Sequence, residues 1–166
     1  MIFIEGYTKN GTATSIMPDD ETGVLNKDES YYAHVNENDS VLDIMNHPAF
    51  DGFGQFILPS DNGIYDKSMQ LNSINSLLPH HNHVAPDTTV RVINHMIDEI
   101  NDGKTIFYDF YTEQQKQKDP TKESTGLFFF RGKAGAPFAI VCPGGGFVYV
   151  GSMRQGMAML QVSLHR

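Results

Sequence analysis

The sequence has one cysteine, Cys142, in 166 residues, so no internal disulfide can form and a reducing compartment fits best. No apolar run reaches the ~18 residues that a membrane-spanning helix needs. The opening Met1-Ile2-Phe3-Ile4-Glu5 lacks the basic start and the length of a signal peptide. A cytoplasmic address is therefore expected. Basic residues are scarce in the first part: up to Gly103 there are 16 acidic and 4 basic residues, and from Lys104 onward 4 acidic and 8 basic. The acidic first part argues against nucleic-acid binding, which needs a basic footprint. There is no internal repeat and no low-complexity tract. Neither phosphate-loop pattern, G-x-x-x-x-G-K-[ST] or G-x-G-x-x-G, occurs.

What is present is globular: 40% hydrophobic and 19% charged residues, enough for one domain with a real core. Residues 5–40 read as largely irregular, with room for short strands. Ser40 and Asp43 give an S-x-x-D helix start ahead of Val41, Leu42, Ile44 and Met45, and Pro48 keeps that helix brief. The aromatic-glycine stretch from Ala49 to Pro59 reads as a packed loop anchored by its phenylalanines. Leu71, Ile74, Leu77 and Leu78 fall on one helical face. The clearest helix is 87–102, opened by Pro86 and Asp87, striped by Val90, Ile93, Met96, Ile97 and Ile100, and stopped by Gly103. Thr105–Thr112 reads as a strand, 114–123 as a polar connection, Thr125–Arg131 as a second strand and 132–136 as a turn. Phe138-Ala139-Ile140-Val141-Cys142 is continuously apolar, as for a strand buried on both faces. Met153–Leu164 fits a following helix.

The strand of 138–142 leads into Pro143-Gly144-Gly145-Gly146-Phe147. Consecutive glycines let several backbone N–H groups converge on one oxygen, which is how an oxyanion hole stabilises a tetrahedral intermediate. The stretches Thr125–Gly132 and Pro137–Ser152 resemble bacterial α/β-hydrolases of the esterase/lipase type. The upstream blocks Asp43–Phe50, Ser76–Pro79 and Gly103–Thr112 are similar to the N-terminal extension of that family. The resemblance covers roughly residues 40–152. It implies an α/β fold: a partial α/β-hydrolase sandwich, holding the first strands and the oxyanion loop, behind an N-terminal extension of helices and loops. Residues 1–103 would be the extension, expected to cover the active-site entrance, and 104–166 the start of the hydrolase domain. Gly144, Gly145 and Gly146 would lie at the oxyanion loop. The implied reaction in intact relatives is acyl transfer to a serine, with a carboxylic ester as substrate and no cofactor.

The family nucleophile sits in G-x-S-x-G, with an acid and then a histidine following. No G-x-S-x-G occurs here, Ser152 belongs to the glycine block, and Ser163 has only Leu164-His165-Arg166 after it. The expectation is an N-terminal fragment without catalytic residues, inactive alone. A complementing C-terminal segment or self-association would then be its partner. The alternative is a non-catalytic binding or interaction domain derived from the same fold.

Other residues invite weaker readings. His80, His81 and His83, with Asp87 nearby, are metal-ligand types, but ligand pairs at helical spacing are missing, so no metal is expected. Cys142 is expected buried and inert, and Phe128–Phe130 in the core. Asp19, Asp20 and Glu21 read as a solvated loop, and Asp109 as alternation to a solvent face.

Overall fold

Ser40 opens the first helix, α1 (Val41–Met45), in the computed structural model of the chain. Its hydroxyl accepts the Asp43 N–H at 3.1 Å, and the Asp43 carboxylate accepts the Ser40 N–H at 2.8 Å. This is the reciprocal capping box that the S-x-x-D spacing predicts. The structure describes residues 2–7, 31–58, 66–77, 84–135, 137 and 139–142. Past α1 the chain makes two single 3₁₀ turns, Pro48–Phe50 and Gly54–Phe56. They bury Phe50, Ile57 and Leu58, so the aromatic-glycine stretch is the packed loop its composition suggests. Residues 66–72 run back along 37–42. Val41 N–H donates to Met69 O and Leu71 N–H to Asp39 O, both at 2.9 Å.

The helix expected near 71–78 is instead a 3₁₀ helix, Leu71–Ser76. Its buried residues are Leu71 and Ile74, followed by Leu77 just beyond. A spacing of three matches three residues per turn, which the sequence shows once the 3₁₀ period is considered.

Helix α2 (Pro86–Asn101) forms where the apolar stripe places it. Val92, Ile93, Met96 and Ile97 are buried, while Val90 and Ile100 pack at the margin. Gly103 has φ +77°. Its N–H donates to Ile100 O at 2.8 Å and the Lys104 N–H to Glu99 O at 2.9 Å. That pair is a Schellman stop, which needs a left-handed residue where Gly103 stands.

Among the described residues four strands form one mixed sheet: β1 (Ile2–Tyr7), β2 (Phe107–Tyr108), β3 (Leu127–Ala134) and β4 (Ala139–Val141), in spatial order β2-β3-β1-β4. β2 pairs antiparallel with β3, β3 parallel with β1, and β1 antiparallel with β4. The strand expected over Thr105–Thr112 is thus only two residues long. Asp109 ends it by accepting the Tyr111 N–H at 3.3 Å, and Thr112 then caps a new helix, α3 (Glu113–Lys118). The polar connection expected over 114–123 holds α3 and a 3₁₀ turn, Pro120–Ser124. β4 also differs from expectation. Among the described residues it lies at the sheet edge with β1 as its one strand neighbour, and Ile140 is 54% exposed.

One apolar cluster joins residues from both sides of Gly103. Phe128 and Phe130 point into it, and Phe129, between them, does not, as strand alternation requires. Phe107 stacks on Phe53 at a centroid distance of 4.9 Å and on Phe56 at 5.5 Å, with Phe128 edge-on at 5.1 Å. These rings fasten the loop of 49–58 to the sheet.

Candidate functional site

The glycine loop Gly144, Gly145 and Gly146 lies outside the described residues, as do His80, His81 and His83, Asp19, Asp20 and Glu21, Ser152 and Ser163. The approach to the loop is described. β4 ends at Val141, and Cys142 follows as an exposed free thiol rather than the buried residue expected. Exposure follows from the edge position of β4.

Three polar centres stand out among the described residues. The first is His47. Its Nδ1 accepts the Ala49 N–H at 3.3 Å and its Nε2 donates to Ala33 O at 3.1 Å. Those two roles fit one neutral tautomer, with the proton on Nε2. Both ring nitrogens are committed to backbone, so neither is left to move a proton for a substrate. His47 borders an open hollow of ≈ 440 Å³ with Asn46, Asp51 and Gln55. Its ring also meets Phe50 tilted at 5.3 Å and Tyr32 edge-on at 6.5 Å. His47 is a fastener between segments 31–36 and 47–50.

The second centre lies along α2. Asn94 Oδ1 accepts the Val35 N–H at 2.8 Å and its Nδ2 donates to Val35 O at 3.0 Å. Asn101 does the same to Tyr32, at 2.9 and 3.0 Å. Between them Asp98 meets His34 Nε2 at 2.7 Å. Positions 94, 98 and 101 share a helix face. A histidine held by a carboxylate has the orientation of a general base, but among the described residues no hydroxyl or thiol hydrogen-bonds His34, so no nucleophile is activated there. The sequence reading missed this stripe. Its signal was two asparagines seven apart on a helix, where asparagine is otherwise a poor choice.

The third centre is Lys116, whose ammonium pairs with Asp109 and, at 3.0 Å, with Glu113. The Asp109 carboxylate first, and Glu113 second, hold the Lys116 pKa above the usual lysine range. Asp109 is therefore exposed, as expected, but at the turn that ends β2 rather than on a strand face, with a cation for partner. In the same way the Ser40 hydroxyl, with its backbone N–H, holds the Asp43 carboxyl below its usual range.

No group of three or more His, Cys, Asp or Glu residues among the described residues has metal-site geometry. No helix among them is long and apolar enough to cross a membrane. Compared with known proteins, the chain matches no family model, no curated sequence and no solved structure.

Proposed function

We propose that the chain carries the N-terminal extension and the oxyanion loop of an esterase/lipase-type serine hydrolase of the α/β-hydrolase kind. The observation that carries this reading is the run Phe138–Ser152, an apolar strand feeding Pro143-Gly144-Gly145-Gly146-Phe147. Gly144, Gly145 and Gly146 would supply the N–H donors for the tetrahedral intermediate. The serine, acid and histidine of the reaction would come from polypeptide encoded beyond Arg166. What supports this is the order of elements: an antiparallel pair, β2 and β3, then β4 leading straight to the loop.

The test begins with translation of the DNA past Arg166 in all three frames. A G-x-S-x-G followed by an acid and a histidine is expected. The chain alone should then turn over p-nitrophenyl acetate no faster than buffer, and co-expression with the downstream segment should restore hydrolysis. Gly145→Pro, which removes one donor, should cut the restored kcat about 100-fold. Absence of such coding in every frame overturns the proposal.

The closed apolar cluster spanning Val35 to Phe130 favours the second reading, a non-catalytic interaction domain. A monodisperse, cooperatively melting chain with no downstream hydrolase coding would select it.

A further inference from the structure

His47 is the N-cap of the 3₁₀ turn Pro48–Phe50, a position usually held by Ser, Thr, Asp or Asn. Pro48 has no N–H, so Ala49 brings the first donor of the turn, and His47 Nδ1 accepts it at 3.3 Å. Phe50 N–H follows, donating to His47 O at 2.8 Å. On its other side the ring donates from Nε2 to Ala33 O at 3.1 Å. An asparagine or serine cap accepts at any pH near neutrality. A histidine cap accepts only while neutral, because both nitrogens of the charged ring carry protons. Turning the ring over exchanges the nitrogens without restoring an acceptor.

The contacts that hold segment 31–36 make no such demand. His47 still donates to Ala33 O when charged. His34 Nε2 meets an acceptor, the Asp98 carboxylate, at 2.7 Å, and charge on the imidazole strengthens that bond. The amides of Asn94 and Asn101, which hold Val35 and Tyr32, do not titrate. Among these contacts, only the one to Ala49 needs an unprotonated ring nitrogen.

We propose that His47 is an acid-released latch: as its ring charges, the turn Pro48–Phe50 loses its cap while segment 31–36 stays bound to the ring and to α2. Histidine is the side-chain type whose charge changes between about pH 8 and 5. The titratable groups around the ring are Tyr32, edge-on at 6.5 Å, and Asp51 on the rim of the same hollow. Next to these stand His34 with Asp98, beyond Ala33, and Asp43 on α1, whose carboxylate is bound to Ser40. Gly52, with φ +80°, follows the turn and is the joint. Beyond it Phe53 and Phe56 stack on Phe107 at 4.9 and 5.5 Å, so release stays at the entry of the loop. The latch does not depend on the hydrolase reading.

The full chain, labelled with ¹⁵N, is titrated by NMR from about pH 8 to about pH 5. Amide exchange is measured at each step and divided by the intrinsic rate at that pH. The His47 ring should begin as the Nε2–H tautomer. The Ala49 and Phe50 amides should then shift along the titration of that ring, and the protection of Ala49 should fall about tenfold. The Tyr32 and Val35 amides should keep theirs. His47→Asn, which caps without titrating, should hold Ala49 protection level across the range. His34→Gln should leave the Ala49 response unchanged. Ala49 protection that persists while the His47 ring charges overturns the proposal, as does a response that follows another group. Loss of protection at Tyr32 and Val35 along the same titration overturns it too, since the whole fold would then be opening.

Discussion

Glycine 54 shows at a single position how close two backbones come. A Cβ built there would fall inside van der Waals contact of the Met45 carbonyl oxygen, at the end of α1. A carbonyl cannot swing aside as a side chain can. Gly54→Ala must push the 3₁₀ turn Gly54–Phe56 away from α1, at about 3 kcal/mol. Gly52 offers the contrast. Its φ is +80°, but an added Cβ meets nothing within 4 Å. Gly52→Ala therefore incurs only left-handed strain, about 1 kcal/mol. Urea denaturation of the two variants should rank them in that order, and equal midpoints would sink the close-contact account. The sequence shows Gly52 and Gly54 among phenylalanines, which suffices to read a packed loop. It does not show that Met45 is the neighbour, because that contact depends on how α1 ends at Asn46.

Helix α2 works as a two-sided element. One face buries Val92, Ile93, Met96 and Ile97, and another holds segment 31–36 through Asn94, Asp98 and Asn101. An asparagine amide matches one backbone N–H and one backbone C=O at once, so it stands in for a missing strand partner. Asn94→Asp keeps the shape but turns the donor facing Val35 O into an acceptor. The expected cost is about 2 kcal/mol, read as a lower urea midpoint, whereas Asp98→Asn at the exposed pair should cost under about 1 kcal/mol. The apolar face was legible because 3.6-residue periodicity shows in one sequence. The polar face was not, since segment 31–36 has no regular structure to announce a partner. Helix caps add a pH signature. Ser40 depresses the Asp43 pKa in the fold, so this cap stabilises above the unfolded value near 3.8 and the gain fades as pH falls through the folded value. Lys116 behaves oppositely: its pKa is raised by Asp109 and Glu113, so its contribution is complete below the unfolded value near 10.5 and is lost as pH rises through the folded one. In Ser40→Ala the Asp43 carboxyl should titrate higher by NMR, toward the ordinary aspartate range. An unmoved titration would show that the hydroxyl is not the cause.

Across the whole molecule, the elements with a strong local period were readable: α1 with its cap, α2 with its stop, and β3. What failed was whatever depended on the assembled sheet. β4 reads as fully buried because its residues are apolar, yet burial of a strand is decided by its neighbours, and among the described residues Ile140 has only β1 beside it. β2 reads as eight residues because Thr105–Thr112 is aromatic and β-branched, but the Asp109 turn and the Thr112 cap outweigh that propensity. The candidate glycine loop was legible as a motif, and nothing in the motif fixes what stands around it. The ring cluster at Phe107 makes the last prediction a molecular one. Phe53 and Phe56 lie before Gly103, and Phe107 and Phe128 after it, and all four rings meet within 4.9–5.8 Å. Rings stacked this way bind the two parts of the chain into one packed body, so neither should melt without the other. Far-UV ellipticity, which reads α2, and near-UV aromatic ellipticity, which reads the ring cluster, should fall along a single transition in urea. Phe107→Ala removes the ring that bridges both sides and should cost about 4 kcal/mol. If the apolar face of α2 with Ile44, Leu71 and Ile74 is sufficient without that bridge, the variant will keep helicity while its near-UV signal is already lost. Separation of the two curves in Phe107→Ala, with coincidence in the unaltered chain, identifies the ring stack as the coupling. Separation in the unaltered chain would mean that the sheet and the helical part are independent bodies.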